Sequence, residues 1–250
     1  LSENIDSGGR QSPHAQRPEL KRDSAIMSHL ERFYRRLEAP IAIWARVVLL
    51  FLTLLVVLSY AVPLWRVSMF APQYPNGLYV DIYSYKVVGG NSGHDVQEIN
   101  ELNHYIGMNK IDRANLSDLD WIPFAVGALI LLALRVAAIG DRRSLLDLAV
   151  LTGYVMFFAL GRYVYRLYIF GHDLNPHAAI NIQPFMPVVI GTRQVANFTV
   201  SSYPRLGGLL MFIFTAGVAA LALWQLFHAP PEQDAARDND QPENPASAKI

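Results

Sequence analysis

Apolar positions are gathered into four long runs, at residues 41–62, 121–139, 145–168 and 206–227, with stretches of ordinary polarity between them. About 20 residues of helix cross a hydrocarbon core of about 30 Å, so each run is long enough to span a bilayer. Charges inside the runs sit near their ends. Arg46 is one turn into the first, where its stem can reach the headgroups, and Arg135 is one turn from the exit of the second. Trp65, Trp121 and Trp224 mark interfaces, and Tyr163, Tyr165 and Tyr168 cluster at the end of the third run. The pattern predicts a mainly α protein, an integral membrane four-helix bundle.

Segments outside the runs differ in kind. Residues 1–26 are rich in Ser, Gly, Arg, Pro and Gln without apolar period and read as a disordered tail, with Met27 as a candidate start. In 27–40, Ser28 followed by Glu31 makes a capping box, and Leu30, Phe33 and Leu37 form a stripe among Arg32, Arg35 and Arg36. That is a basic amphipathic helix for the membrane surface, or a charged flank of the first span. Residues 228–250 are Pro-, Asp-, Asn- and Glu-rich and read as a second disordered tail.

Positive charge sets the orientation. Three arginines lie between Met27 and Ile41, and Arg142 and Arg143 fill the short turn between the second and third runs, so both regions belong on the cytoplasmic side. Four crossings then leave both termini cytoplasmic, in a bacterial inner membrane. Residues 63–120 and 169–205 face outward, into the periplasm, and together predict a small mixed α/β cap. Within them 78–88 alternates as a strand, Asp95 to Ile106 reads as a helix ended by Gly107, and 188–190 and 195–200 read as short extended segments. Pro176, Pro184, Pro187 and Pro204 exclude long helices from the second segment.

Composition narrows the function. Of the 250 residues 52% are hydrophobic and only 17% charged, below the roughly 25% of soluble domains. Lys plus Arg and Asp plus Glu are 21 each, which removes an electrostatic case for nucleic acid. Cysteine is absent, so there is no disulfide, thiolate metal site or cysteine nucleophile. No Gly-x-Ser-x-Gly, phosphate loop or dinucleotide fingerprint occurs, and the reading is not an enzyme.

Two outward motifs hold candidate ligands. His104 and Met108 are four apart in Leu102-Asn103-His104-Tyr105-Ile106-Gly107-Met108, an imidazole and a soft thioether that suit copper. His172 and His177 flank an Asn-Pro turn in Gly171-His172-Asp173-Leu174-Asn175-Pro176-His177 and could converge from a loop, with His94, Met69 and Met186 as further donors. The bland alternative is that His104 and His172 hydrogen-bond nearby backbone. Arg162 and Arg166 are four apart among Tyr163, Tyr165 and Tyr168. They are candidates for contact with lipid or a partner, against the simpler reading of interfacial snorkelling. Asp118 and Asp120 read as a helix N-terminal charge cluster. Small residues such as Gly127, Gly153 and Gly161 suggest close helix packing, and the span centres lack the ionisable groups of a coupled transporter.

Several of these motifs resemble a known family. Ala71-Pro72-Gln73-Tyr74-Pro75-Asn76-Gly77-Leu78, the Leu102 to Met108 motif, Gly171-His172 through Pro176, and Pro184-Phe185-Met186-Pro187 with Ile190-Gly191 are similar to a poorly characterised family of small multi-pass bacterial membrane proteins. Its members are often encoded beside nitrous-oxide reductase maturation genes, among copper chaperones and a copper-linked ABC transporter. The likeness covers residues 63–205. It implies a place near periplasmic copper or respiratory chemistry, with His104, Met108, His172 and His177 as metal ligands and a periplasmic copper protein as partner. The expectation is therefore a non-catalytic membrane accessory presenting His and Met ligands for copper handling. The alternative is a structural subunit of a larger respiratory or photosynthetic membrane complex, touching lipid and neighbouring subunits.

Overall fold

The computed structural model describes residues 37–195 and 197–228, together with Met27 and Tyr34. The two predicted tails (His228 apart) and most of the 27–40 helix lie outside the described residues. The fold is mainly helical with one small antiparallel sheet. Four apolar helices run through it: α1 (Ile43–Ser59), α3 (Asp118–Ile139), α4 (Arg142–His172) and α5 (Leu206–Phe227). Three of them, α3, α4 and α5, are long and apolar enough to cross a membrane. The first run, expected over 41–62, yields only 17 helical residues, about 26 Å at 1.5 Å per residue. Pro63, which cannot continue a helix, follows its end closely.

The helices share one core. Ala45, Leu49, Leu52 and Val56 recur at spacings of four and three on α1 and share a core with Val126, Ala133 and Val136 of α3 and Phe214, Val218 and Leu221 of α5. Helix α4 joins this core only through its first turns, at Leu145 and Leu148. At that end the chain is closed by polar contacts. Asp141 caps α4, accepting from the Ser144 amide at 2.8 Å, and the Arg142 amide donates to the Ala39 carbonyl at 3.0 Å. Arg46 donates to the Ala138 carbonyl at 2.6 Å, so a cation serves the orphan carbonyls at the C-terminus of α3.

A cap covers the opposite ends. Strands β1 (Trp65–Ala71), β2 (Tyr74–Ile82), β3 (Val87–Gly89), β4 (Gly191–Val195) and β5 (Phe198–Pro204) form a sheet of order β3-β2-β1-β5-β4. Both outward segments contribute to it, since β1 pairs with β2 on one side and with β5 on the other. Helix α2 (His94–Ile106) lies on the sheet, its Ile99 buried against Leu78 and Val80, and Gly107 ends it with a positive φ of 79°. The alternating run at 78–88 is not one strand. It breaks after Ile82 into a hairpin, where the Tyr83 amide donates to the Lys86 carbonyl. The second segment supplies strands that each start three residues later than the 188–190 and 195–200 expectations.

Candidate functional site: the junction of helices and cap

Helix α4 decides the geometry of the junction. At 31 residues it is about 46 Å long, well beyond a hydrocarbon core of about 30 Å. It continues four residues past its expected end at Tyr168, so its last turns form a post against which the cap rests. Tyr163 on this post packs at a tilt against Trp65 of β1, with ring centroids 5.1 Å apart and planes 48° from parallel. The hydroxyls of Tyr163 and Ser202 lie 3.0 Å apart, the Trp65 indole N–H donates to Ser202 Oγ at 2.8 Å, and Ser202 Oγ donates to the Val189 carbonyl. Ser202 is fully buried, so each of these polar groups is satisfied where water is scarce. Higher up, Gly171 lets the segment around Phe185 cross the post, and the Phe185 amide donates to the Gly171 carbonyl at 3.0 Å. A Cβ on Gly171 would overlap the Phe185 carbonyl oxygen.

Below this contact the two expected arginines meet a carboxylate. Arg162 Nε donates to Asp118 Oδ1 at 2.8 Å, and Arg166 donates to Asp118 Oδ2 at 3.1 Å and to Ser117 Oγ at 2.9 Å. The Trp121 indole N–H donates to Asp118 as well, at 3.1 Å. Asp118 thus belongs to the helix start, as expected, but also binds both arginines of α4. Snorkelling alone does not describe Arg162 and Arg166. Tyr165 and Tyr168 remain exposed, Arg162 lies 5.7 Å from the Tyr165 ring, and Asp120 pairs with Arg113.

The candidate ligand motifs are brought together by backbone. The Asn175 amide donates to the Gly107 carbonyl at 2.8 Å, the Ile180 amide to the Tyr105 carbonyl at 2.9 Å, and Asn109 Nδ2 to Asp173 Oδ2 at 3.3 Å. The ligand side chains differ in setting. His104 is exposed on α2, at the edge of an open depression of ≈ 580 Å³ with Glu101, Tyr105 and Lys110. Met108 is partly buried. His172 is helical rather than in a loop, stacks on Tyr168 at 3.9 Å and holds Nδ1 3.0 Å from the Tyr168 carbonyl. His177 is exposed, and its own amide is bonded to Asn175 Oδ1. Among the described residues no group of three or more His, Asp or Glu is placed to hold a metal ion.

One further ion pair escaped the sequence reading. Arg66 on β1 forms a two-pronged pair with Asp81 directly opposite on β2, at 2.5 and 2.6 Å, and stacks over Tyr79 at 4.0 Å. The Asp81 hydrogen bond holds the Arg66 guanidinium above its ordinary pKa. Spacing could have found it, because Arg66 and Asp81 sit at facing positions once 65–71 is read as a strand. Across the sheet, the Tyr74 phenol is raised by its bond to Glu98 at 2.9 Å. Comparison with protein-family models, curated proteins and solved structures finds no match to this chain.

Proposed function

We propose that the chain is a non-catalytic integral membrane accessory protein, a structural subunit whose four helices cross the inner membrane and whose periplasmic cap is a docking platform for a larger complex. The observation that carries this reading is the attachment of the cap to the post of α4 through Tyr163–Ser202–Trp65, beside the Asp118–Arg162–Arg166 cluster that ties α3 to the same post. The hydroxyls of Tyr163 and Ser202 and the Trp65 indole N–H are consumed in holding the two parts together. Two depressions among the described residues, of ≈ 240 and ≈ 580 Å³, are open to the surface, which suits a surface for a partner better than an enclosed reaction chamber. Orientation is supported by the Ala39–Arg142 bond, which holds Ala39, just ahead of α1, beside the Arg142-Arg143 turn, away from the cap, so the positive charge of that turn marks the cytoplasmic end in this reading. Gentle detergent extraction tests the reading. A stoichiometric partner set should co-purify, and a chain that runs alone at every detergent strength would sink it.

Copper handling is the second reading, favoured by the hydrogen bonds that join the His104–Met108 and His172–His177 motifs. It predicts copper on the purified protein and loss of most of it in the His104→Ala, Met108→Ala double variant. Equal copper content in wild type and variant would remove it.

A further inference from the structure

We infer that Arg162 and Arg166, with Tyr165 beside them, form a headgroup site for an anionic phospholipid of the cap-side leaflet. The inference rests on the membrane reading above and adds a ligand to it. Charge is the starting point. Two guanidiniums share the single carboxylate of Asp118, and the neighbouring carboxylate of Asp120 is taken by Arg113, so the cluster keeps one uncompensated positive charge.

Donor accounting locates that charge. Arg162 reaches Asp118 through Nε alone, and its two terminal nitrogens make no hydrogen bond with any described residue. Its side chain is 32% exposed, against 19% for Arg166 and 15% for Asp118. The open edge of a guanidinium presents paired N–H groups that match a phosphate, and the Asp118 bond fixes the plane in advance. Tyr165, 53% exposed, has its ring centre 5.7 Å from the Arg162 guanidinium carbon, where a phenol suits the boundary of lipid and water.

Depth agrees with chemistry. Asp118 is the first residue of α3, whose 22 residues span about 33 Å, so the cluster sits where that helix enters the bilayer. Arg162 is ten residues before the end of α4, about 15 Å below the top of the post. An unsatisfied guanidinium is costly against hydrocarbon. At headgroup height a phosphate satisfies it. A zwitterionic lipid brings its own ammonium and leaves the net charge unanswered, whereas an anionic one neutralises it.

The test uses the full chain reconstituted in vesicles of phosphatidylcholine and phosphatidylglycerol, with bound lipid counted by native mass spectrometry. Wild type should retain phosphatidylglycerol over phosphatidylcholine by about fivefold, the ratio supported by one interfacial charge. Arg162→Gln should abolish the preference, and Arg162→Lys, which keeps charge without the fork, should keep part of it. Equal retention of the two lipids by wild type, or an unchanged preference in Arg162→Gln, overturns the inference. So does displacement of the lipid by millimolar inorganic phosphate, which would mark a free-phosphate site instead. A chain that does not enter vesicles at all defeats the membrane reading itself, a result distinct from each of these.

Discussion

Asp118 accepts from three side chains on two helices, and its removal has a definite cost. Asp118→Asn leaves two guanidiniums near the start of α3 without their anion. Breaking a buried pair costs about 3–5 kcal/mol, and partial exposure here reduces that to about 1–3 kcal/mol. Thermal unfolding in detergent should show the loss, and an unchanged midpoint would contradict the assigned role. Asp141 gives a prediction with pH. Its carboxyl is held below the ordinary range, mainly by its hydrogen bonds with Ser144. A depressed folded-state pKa contributes stability that is complete above the unfolded value near 4 and is lost as pH falls through the folded one. Asp141→Asn should therefore keep the cap of α4 at neutral pH and flatten the acid limb of the stability curve below about pH 4. Asp141→Ala should cost about 1 kcal/mol at neutral pH. Among these residues, the arginine pair was visible in the sequence because four-residue spacing puts both on one helix face. Its partner was not, since nothing local connects Asp118 with residues more than forty positions away.

At the scale of elements, α4 separates two kinds of glycine. Gly171 is crossed by the backbone at Phe185, so Gly171→Ala forces the segment off the post. Overpacking of this kind costs about 1–3 kcal/mol. Hydrogen exchange should rise over residues 184–190, and protection equal to wild type would refute the contact. Gly161 has open space where a Cβ would go, so Gly161→Ala should be neutral or gain up to about 1 kcal/mol of helix propensity. The sequence suggested close packing at Gly153 and Gly161, yet neither is approached within 4 Å. Small residues permit contact without requiring it. The long apolar helices were legible to within a few residues because hydrophobic length is local information. Strand β1 was missed, since Trp65 and its neighbours follow an apolar run directly and read as its interfacial border. The hairpin of β2 and β3 was merged for a related reason: Tyr83 and Tyr85 keep strand-like composition through the turn.

At the scale of the whole molecule, the sheet is assembled from two segments that the chain separates by two long helices, and sequence pattern carries no sign of that pairing. Local runs reveal elements, whereas the partner of an edge is chosen by the finished arrangement. Topology can be checked directly because the chain has no native cysteine. In the proposed orientation, Ser92→Cys in the cap should react with an impermeant maleimide on sealed right-side-out cells, and Arg143→Cys at the other end should react only after lysis. The reverse pattern would invert the protein in its membrane.

The central position of β1 carries a consequence for synthesis. Its β2 side is occupied as soon as the first hairpin emerges, but β5 is made only after α3 and α4 have been translated. Until then the nascent chain presents an unpaired strand with Phe70 and Trp65 along it, the kind of border that recruits foreign strands. A ribosome stalled between residues 172 and 198 would therefore leave a half-built product suited to chaperone capture and proteolytic clearance, and α5 would follow directly on the strand that closes the sheet.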